Sequence, residues 1–184
     1  MDDELELVNS ARKGEDEAFA ELVRRYLPRV HGFLARLVGD PGHAEDLSQE
    51  VFLAAYRSLG RLRDPAGFRP WLFRIAINRG RDWIRARSRE RAVQSALAAE
   101  PAGPGPPDPA DCAAAGETSR RLALLVASLP DRYRSVILLK AVGGLSYREI
   151  AGALKIRPRS VETRLYRARS LLRQQWRAEE GEEP

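Results

Sequence analysis

Arginines interleaved with short polar side chains near the C-terminus are the residues of this chain best suited to a specific chemistry. From Arg157 to Arg177 there are seven arginines and one acid, Glu162. Guanidinium groups bind phosphates and guanine edges, and short polar side chains reach base edges in the major groove. We therefore expect this segment to bind duplex DNA, through Arg159, Ser160, Glu162, Thr163, Arg164, Tyr166 and Arg167.

These residues divide by expected role. The residues predicted to read bases are Arg159, Glu162, Thr163 and Arg167, while Arg164 and Tyr166 are predicted to make backbone or packing contacts. Glu162 has two interpretations. Its carboxylate accepts a hydrogen bond from cytosine N4, or it pairs with Arg159 or Tyr166 and reads nothing.

Two short helices have to position these side chains. Ser146 and Glu149 fit the S-x-x-E capping box that opens a helix. Pro158 breaks that helix, and Ser160 is predicted to cap the next one. The sequence therefore predicts a helix-turn-helix whose inner faces are formed by apolar residues at helical spacing, namely Ile150, Ala151, Leu154, Ile156, Val161, Leu165 and Ala168.

A second group of arginines lies in the first half of the chain, on a helix expected at 68–91. One stripe of this helix carries an aromatic ring, an amide and three guanidinium groups: Trp71, Arg74, Asn78, Arg81 and Arg85. Flat rings and cations are suited to unstacked single-stranded DNA, since stacking contributes roughly 1–3 kcal/mol per base. The competing interpretation of Trp71 is an ordinary core residue.

An acidic face is predicted on a third helix, at 43–59. Its members fall at spacings of three and four, so that they share one side of the helix: Asp46, Gln49, Glu50 and Leu53. Such a face complements a basic helical partner, and this complementarity sets orientation and association rate more than affinity. A charged surface exposed only to solvent is the alternative.

The composition restricts the remaining classes of function. The chain has 31 basic and 26 acidic residues, a net charge of +5, one cysteine and two histidines. An intramolecular disulfide and a Cys/His metal cluster are therefore not expected, and no catalytic constellation or cofactor site is predicted. The N-terminus is acidic and no apolar run reaches the roughly 18 residues of a membrane span, so we expect a cytoplasmic protein.

Helical spacing recurs along the chain and strand alternation is almost absent, which predicts an all-α fold. We expect helices at 2–13, 16–37, 43–59 and 68–91 in a first domain, 1–91, and at 118–128 and 131–142 before the helix-turn-helix in a second domain, 120–177. Residues 92–119 lack Lys and Arg and hold five of the twelve prolines, so a flexible linker is predicted there. An acidic tail, 178–184, follows.

Two segments in combination carry a family resemblance. These are Ala44-Glu45-Asp46-Leu47-Ser48-Gln49-Glu50-Val51-Phe52 and Phe68-Arg69-Pro70-Trp71-Leu72-Phe73-Arg74-Ile75-Ala76-Ile77-Asn78. With Leu129-Pro130 and the helix-turn-helix, the chain resembles a bacterial RNA polymerase sigma factor of the extracytoplasmic function group, group IV of the sigma-70 family. The resemblance covers about 10–90 and 118–174.

The resemblance implies that the protein binds core RNA polymerase, directs it to particular promoters and catalyses nothing itself. The acidic face would dock on a coiled coil of the largest polymerase subunit, and the second domain on the flap. The stripe, with Phe68 and a specificity loop from Arg61 to Gly67, would melt and hold the minus-ten element. The helix-turn-helix would read the minus-thirty-five element, although Lys155 replaces the glycine common in its turn. The resemblance also implies an anti-sigma factor.

Two other functions compete with this one. A stand-alone transcriptional regulator would need the helix-turn-helix but not a stripe for single-stranded DNA. An enzyme acting on nucleic acid would need clustered carboxylates or a metal constellation, which the sequence does not show.

Overall fold

The computed structural model describes residues 2–97 and 117–180, and every regular element in these ranges is helical. The all-α prediction is confirmed, with two helical domains, α1–α4 and α5–α8. The helices are α1 Asp2–Arg12, α2 Asp16–Val38, α3 Pro41–Ser58, α4 Phe68–Leu97, α5 Glu117–Ser128, α6 Asp131–Ala141, α7 Tyr147–Leu154 and α8 Pro158–Glu180. None of them is long and apolar enough to cross a membrane.

Local signals fix the turns that join α2, α3 and α4. Gly39 ends α2 in the left-handed conformation, with φ 72°, which costs glycine little. Asp40 then caps α3 by accepting from the His43 N–H at 3.1 Å. Between α3 and α4, Asp64 caps a short 3₁₀ turn, Pro65–Gly67. These turns bring α2, α3 and α4 together around one core.

Two helix boundaries differ from the prediction and shorten the linker. α4 continues to Leu97, six residues beyond the expected end at 91, and α5 begins at Glu117. Residues 92–97 are Ala, Val, Gln, Ser, Ala and Leu, most of which favour a helix or tolerate one, so the chain continues α4. The rest of the predicted linker, 98–116 with Cys112, and the tail from 181 lie outside the described residues.

The start of α8 corrects a third prediction. The helix begins at Pro158, two residues before the expected cap at Ser160. Proline suits the first helical position, because its ring fixes a helical φ and the missing N–H would have no intrahelical partner there. Ser160 lies inside the first turn, where its N–H donates to the Arg157 carbonyl at 2.9 Å.

One continuous apolar cluster extends through both domains. In the first domain it is organised around α2, whose Phe33 packs edge-to-face on Phe73 of α4 at 5.4 Å. The same cluster includes Val136 and Leu139 of α6 and Ile150 of α7. α7 packs against α4, and α5 and α6 contact α2. The second domain is therefore seated on the face of the first that carries the arginine stripe.

Candidate DNA and partner surfaces

The helix-turn-helix has the predicted capping box. The Ser146 Oγ accepts from the Glu149 N–H at 3.3 Å, and a Glu149 carboxylate oxygen accepts from the Ser146 N–H at 2.7 Å. Partial burial acts to raise the pKa of Glu149, but the hydrogen bonds with Ser146 and the nearby Arg69 guanidinium lower it overall. The carboxylate that fixes the start of α7 is therefore ionised at neutral pH.

The turn of the motif forms although Lys155 stands in it. Lys155 adopts the left-handed conformation with φ 53°, and its N–H donates to the carbonyls of Ala151 and Gly152. This conformation costs a residue with a Cβ roughly 1–2 kcal/mol. The surrounding packing of α7 and α8 offsets that cost, so the turn keeps the geometry that glycine would adopt more readily.

The outward face of α8 carries the residues predicted to meet duplex DNA. Val161, Leu165 and Ala168 are buried against the domain, which turns the opposite side of the helix to solvent. Arg159, Glu162, Thr163, Tyr166 and Arg167 are exposed on that side, whereas Ser160 and Arg164 are half-buried.

Two contacts and one unpartnered side chain refine the predicted roles on α8. The Thr163 hydroxyl donates to the Arg159 carbonyl at 3.0 Å. In the described part of the chain, Glu162 has no hydrogen bond or ion pair with Arg159 or Tyr166, so its carboxylate is open to a base. The Arg167 guanidinium beside the Tyr133 hydroxyl lowers the pKa of that phenol. Arg167 is therefore linked to α6 in this conformation.

The stripe on α4 is only partly open to solvent. Asn78 and Arg85 are exposed, while Trp71, Arg74 and Arg81 are half-buried. Arg74, Asn78 and Arg81 form one wall of a groove of about 310 Å³, and the end of α7, from Ala153 to Lys155, forms the other wall. The stripe is thus a continuous feature of α4 whose centre faces the second domain.

The aromatic residues near the stripe have different positions. Phe68 is fully buried, and its ring packs edge-to-face on Tyr26 at 5.5 Å, so it offers no surface on which a base can stack. The Trp71 ring lies 5.8 Å from Phe68 and remains partly exposed. Trp83 packs on His43 at 5.0 Å. Of the three rings, Trp71 is the one placed on the stripe with surface available.

The loop before α4 is arranged by its own turns. Arg61 is exposed at the end of the 3₁₀ turn Leu59–Arg61, and Leu62 beside it is buried. The Asp64 carboxylate accepts from the Ala66 N–H at 3.0 Å. The Arg61 side chain is therefore exposed in the loop that leads to α4.

The acidic face of α3 is present as predicted. Asp46, Gln49 and Glu50 are exposed, and the Leu53 side chain beside them is an exposed apolar residue at 50% relative accessibility. The opposite side of α3 is buried through Leu47, Val51 and Phe52. Glu50 and Arg79 of α4 are 3.9 Å apart, a long and exposed ion pair. The face therefore presents carboxylates and an apolar edge to solvent.

Contacts between the two domains were not predicted from the sequence. An Arg69 Nη of α4 is 3.3 Å from the Glu149 carboxylate of α7, and an Arg81 Nη is 3.1 Å from Asp131 of α6. The only sequence signal was the capping box, which marked Glu149 as a helix start. The partners are 80 and 50 residues apart, so no local spacing reveals them.

The described residues contain no group of three His, Cys, Asp or Glu side chains that is placed to hold a metal ion. Among the titratable groups outside the surfaces above, Tyr26 is buried in the first domain. Burial and a hydrogen bond with Glu4 raise the pKa of Tyr26, which lies next to Phe68 in the core. The described surfaces present arginine, aromatic and carboxylate side chains to solvent.

Comparison with known proteins adds independent findings. The family models Sigma-70 region 2 and Sigma-70, region 4 match residues 22–90 and 119–172. The RNA polymerase sigma-H factor of Pseudomonas aeruginosa is 33% identical over 175 residues, covering 91% of this chain and 90% of that protein. The ECF RNA polymerase sigma factor SigW of Bacillus subtilis is 32% identical over 178 residues, covering 92% and 95%.

A solved structure is also similar. CnrH in complex with the cytosolic domain of CnrY matches with a TM-score of 0.71 and 32% identity, over 96% of this chain and 98% of that chain. The similarity extends through both helical domains.

Proposed function

Because this chain belongs to the sigma-70 family and is an extracytoplasmic function RNA polymerase sigma factor, we propose that each of its three surfaces makes a different contact during promoter selection. One surface binds core polymerase, one holds melted DNA and one reads duplex DNA. Their combination on a single chain is the observation that carries the proposal. The polymerase supplies the chemistry of RNA synthesis, so no catalytic residue is assigned here.

The acidic face of α3 is proposed to bind the coiled coil of the largest polymerase subunit. Its exposed carboxylates, Asp46 and Glu50, lie beside the exposed Leu53, a pattern that suits a basic helix with an apolar edge. Gln49 lies between them and supplies an amide for hydrogen bonding. The flap of the polymerase is proposed as the contact of the second domain.

The stripe on α4 is proposed to hold the minus-ten element as a single strand. Trp71 supplies a partly exposed ring, Asn78 supplies an exposed amide, and Arg74, Arg81 and Arg85 supply cations along one side of the helix. Base stacking on an aromatic ring and phosphate contacts from arginine together bind single strands. Arg61, at the edge of the preceding loop, is proposed to contact the same strand.

The exposed face of α8 is proposed to read the minus-thirty-five element in the major groove. Arg159, Glu162, Thr163 and Arg167 are suited to base edges, and the arginines beyond Arg167 are suited to phosphates. The open carboxylate of Glu162 supports the interpretation that it accepts from cytosine N4.

Regulation is proposed to involve an anti-sigma factor, and the chain is proposed to belong to group IV of the family. The similar protein CnrH was solved with the cytosolic domain of CnrY, which supports a protein partner for this fold. A co-purifying inhibitor that lowers transcription by this factor is the expected result. Transcription unaffected by every co-purifying protein would oppose the proposal.

In vitro transcription tests the proposed function directly. Core polymerase is supplied with this chain, or left without it, on a library of genomic promoter fragments. Defined start sites that appear only with the chain are expected, and their upstream sequences give the two promoter elements. Specific duplex binding without initiation would instead identify a stand-alone regulator, which the helix-turn-helix alone would satisfy.

A further inference from the structure

Three aromatic rings form a continuous column from the core of the first domain to the stripe. The Tyr26 ring of α2 packs edge-to-face on Phe68 with the ring centroids 5.5 Å apart, and Phe68 lies 5.8 Å from the Trp71 ring. Tyr26 and Phe68 are buried, whereas Trp71 is partly exposed. The column therefore begins in the core and ends on the stripe, at the ring that is proposed to stack on a base.

Phe68 is held at its backbone as well as at its ring. It is the first residue of α4, and its N–H donates to the Pro65 carbonyl in the 3₁₀ turn of the preceding loop. Its side chain is fully buried, and protein interiors are packed so closely that a buried ring has little room to move. The Phe68 ring is therefore a fixed point at the junction of the loop and α4.

Tyr26 connects the column to α1. Burial raises the pKa of the Tyr26 phenol, and a hydrogen bond with Glu4 of α1 raises it further. A buried hydroxyl costs free energy unless it is hydrogen-bonded, so Glu4 helps to keep this ring in its place. The planes of the Tyr26 and Phe68 rings meet at 68°, close to the edge-to-face arrangement that aromatic pairs prefer. Phe68 consequently packs on a ring that is itself fixed.

The spacing of Trp71 and Phe68 makes one ring depend on the other. Residues three positions apart are neighbours on a helix, and a long side chain on a helix leans back over the preceding turn. The two ring planes are inclined by 42°. Because the outer side of the Trp71 ring faces solvent, packing on its inner side is what restricts its orientation. A ring that is oriented before DNA arrives loses less side-chain entropy when it stacks.

We propose that Phe68 is a positioning residue, whose buried ring holds the Trp71 ring in the orientation that stacks on a DNA base, while Phe68 itself touches no DNA. This inference rests on the proposed function, which assigns stacking on the single strand to Trp71. A leucine at position 68 would fill much of the same space but would lack the flat ring on which Trp71 packs. Phe68 therefore acts on the binding of bases and not on the binding of phosphates.

A set of variants separates this role from core packing. Phe68→Leu removes the supporting ring, Trp71→Ala removes the stacking ring, and a third variant combines both changes. The matched control is Phe33→Leu, because Phe33 is equally buried and packs edge-to-face on Phe73 at 5.4 Å. Urea denaturation is expected to show similar losses of stability for Phe68→Leu and Phe33→Leu. Should either variant not fold, Met replaces Leu at both positions, since methionine fills irregular spaces in a core.

The assay compares two labelled single strands on holoenzyme assembled from core polymerase and each variant. One strand has random sequence, and the other has the same length with a tetrahydrofuran group in place of every base. Both strands carry the same phosphates, so the Kd of the abasic strand divided by the Kd of the base-containing strand measures the contribution of bases. Fluorescence anisotropy gives both Kd values, and core polymerase alone gives the background ratio.

Each variant has a definite expected ratio. Trp71→Ala is expected to lower the ratio about fivefold or more, which is the smallest effect expected for the loss of stacking on one ring. Phe68→Leu is expected to lower it about 3- to 5-fold, as a part of the same effect, and Phe33→Leu is expected to leave it at the wild-type value. In the Trp71→Ala background, Phe68→Leu should change the ratio no further, because no ring is left for it to position.

Every outcome of this comparison is informative. A ratio that Phe68→Leu lowers only when Trp71 is present, and that Phe33→Leu retains, supports the positioning role. A ratio that Phe68→Leu leaves unchanged, that Phe33→Leu lowers equally, or that Phe68→Leu lowers further without Trp71 overturns it. If Trp71→Ala itself leaves the ratio unchanged, the stacking assigned to Trp71 in the proposed function fails, and the positioning role fails with it. The Trp71→Ala result thus distinguishes the two failures.

Discussion

Gly80 of α4 packs directly on Leu37 of α2. A Cβ at position 80 would lie 2.6 Å from the Leu37 Cδ2, and Leu37 is fully buried. The two helices therefore approach as closely as they do because residue 80 has no side chain. This contact sets the position of α4, and with it the stripe, relative to the rest of the first domain.

Gly80→Ala is expected to lower the free energy of unfolding by about 1–3 kcal/mol, because Leu37 has to leave its place in a filled core. The measurement is urea denaturation followed by circular dichroism. Gly152→Ala on α7 is the matched control, since a Cβ there has nothing within 4 Å. The control should gain about 0.5–1 kcal/mol from helix propensity, so equal losses at the two positions would contradict the packing argument.

Lys155→Gly is expected to stabilise the second domain by about 1 kcal/mol, because glycine adopts the left-handed conformation at φ 53° without the Cβ penalty. Lys155→Ala serves as the control, since it removes the charge and keeps the Cβ. If the gain arises from backbone conformation, the midpoint of thermal unfolding rises for Lys155→Gly and not for Lys155→Ala. Equal midpoints for the two variants would contradict this explanation.

Asp46→Arg with Glu50→Arg is expected to weaken binding to core polymerase about tenfold or more, because reversed charges repel a basic partner. Duplex DNA affinity should be retained. The measurement is fluorescence titration of labelled protein with core polymerase. Glu6→Arg with Glu15→Arg makes the same charge change on exposed positions outside α3. Unchanged binding by the α3 variant would refute the polymerase contact and leave the stand-alone regulator.

Arg74→Ala is expected to reduce the slope of log affinity against log salt by about one for promoter complexes of the assembled holoenzyme, because one phosphate contact is lost. Arg79→Ala is the matched control on the same helix. Arg79 faces Glu50 of α3, at 3.9 Å, and not the groove. Titration with potassium chloride measures the slopes. A slope reduced equally in both variants would show that only net charge matters.

The sequence predicted local features well because their signals are local. Residues three or four apart form the capping box of Ser146 and Glu149 and the exposed face of α3. The same spacing of apolar residues predicts each helix, and therefore the order of the helices. The burial of Phe68 was missed, because an aromatic residue next to the stripe has the same sequence spacing whether its ring faces solvent or packs on Tyr26.

The docking of the two domains could not be predicted from the sequence for a different reason. Its ion pairs join residues 80 and 50 positions apart, and their geometry depends on how complete domains pack. The predicted cap at Ser160 was wrong because Pro158 begins α8, whereas the sequence pattern was interpreted as the end of the preceding helix, which already ends at Leu154.

The ion pair of Arg69 and Glu149 predicts a dependence of stability on pH. Partial burial opposes the ionisation of Glu149, but the Ser146 hydrogen bonds and Arg69 lower its folded-state pKa below the ordinary 4.5. A lowered folded pKa contributes stability that is present above the unfolded value and is lost as the pH falls through the folded value. The free energy of unfolding of wild type should therefore exceed that of Glu149→Gln by roughly 0.5–1 kcal/mol at neutral pH, and this gap should close as the pH falls below the ordinary pKa of 4.5 and through the lowered folded value.

Urea denaturation of both proteins between pH 3 and 7 measures this gap. Repeating the comparison of Glu149 with Glu149→Gln in an Arg69→Ala background separates the contribution of the ion pair with Arg69 from that of the charge at the start of α7. Glu149→Gln keeps the capping hydrogen bond in either background. If the ion pair stabilises domain docking, the gap at neutral pH shrinks when Arg69 is absent. A gap of equal size with and without Arg69 would assign the whole effect to the start of α7, and the contact between the domains would then contribute nothing through this pair.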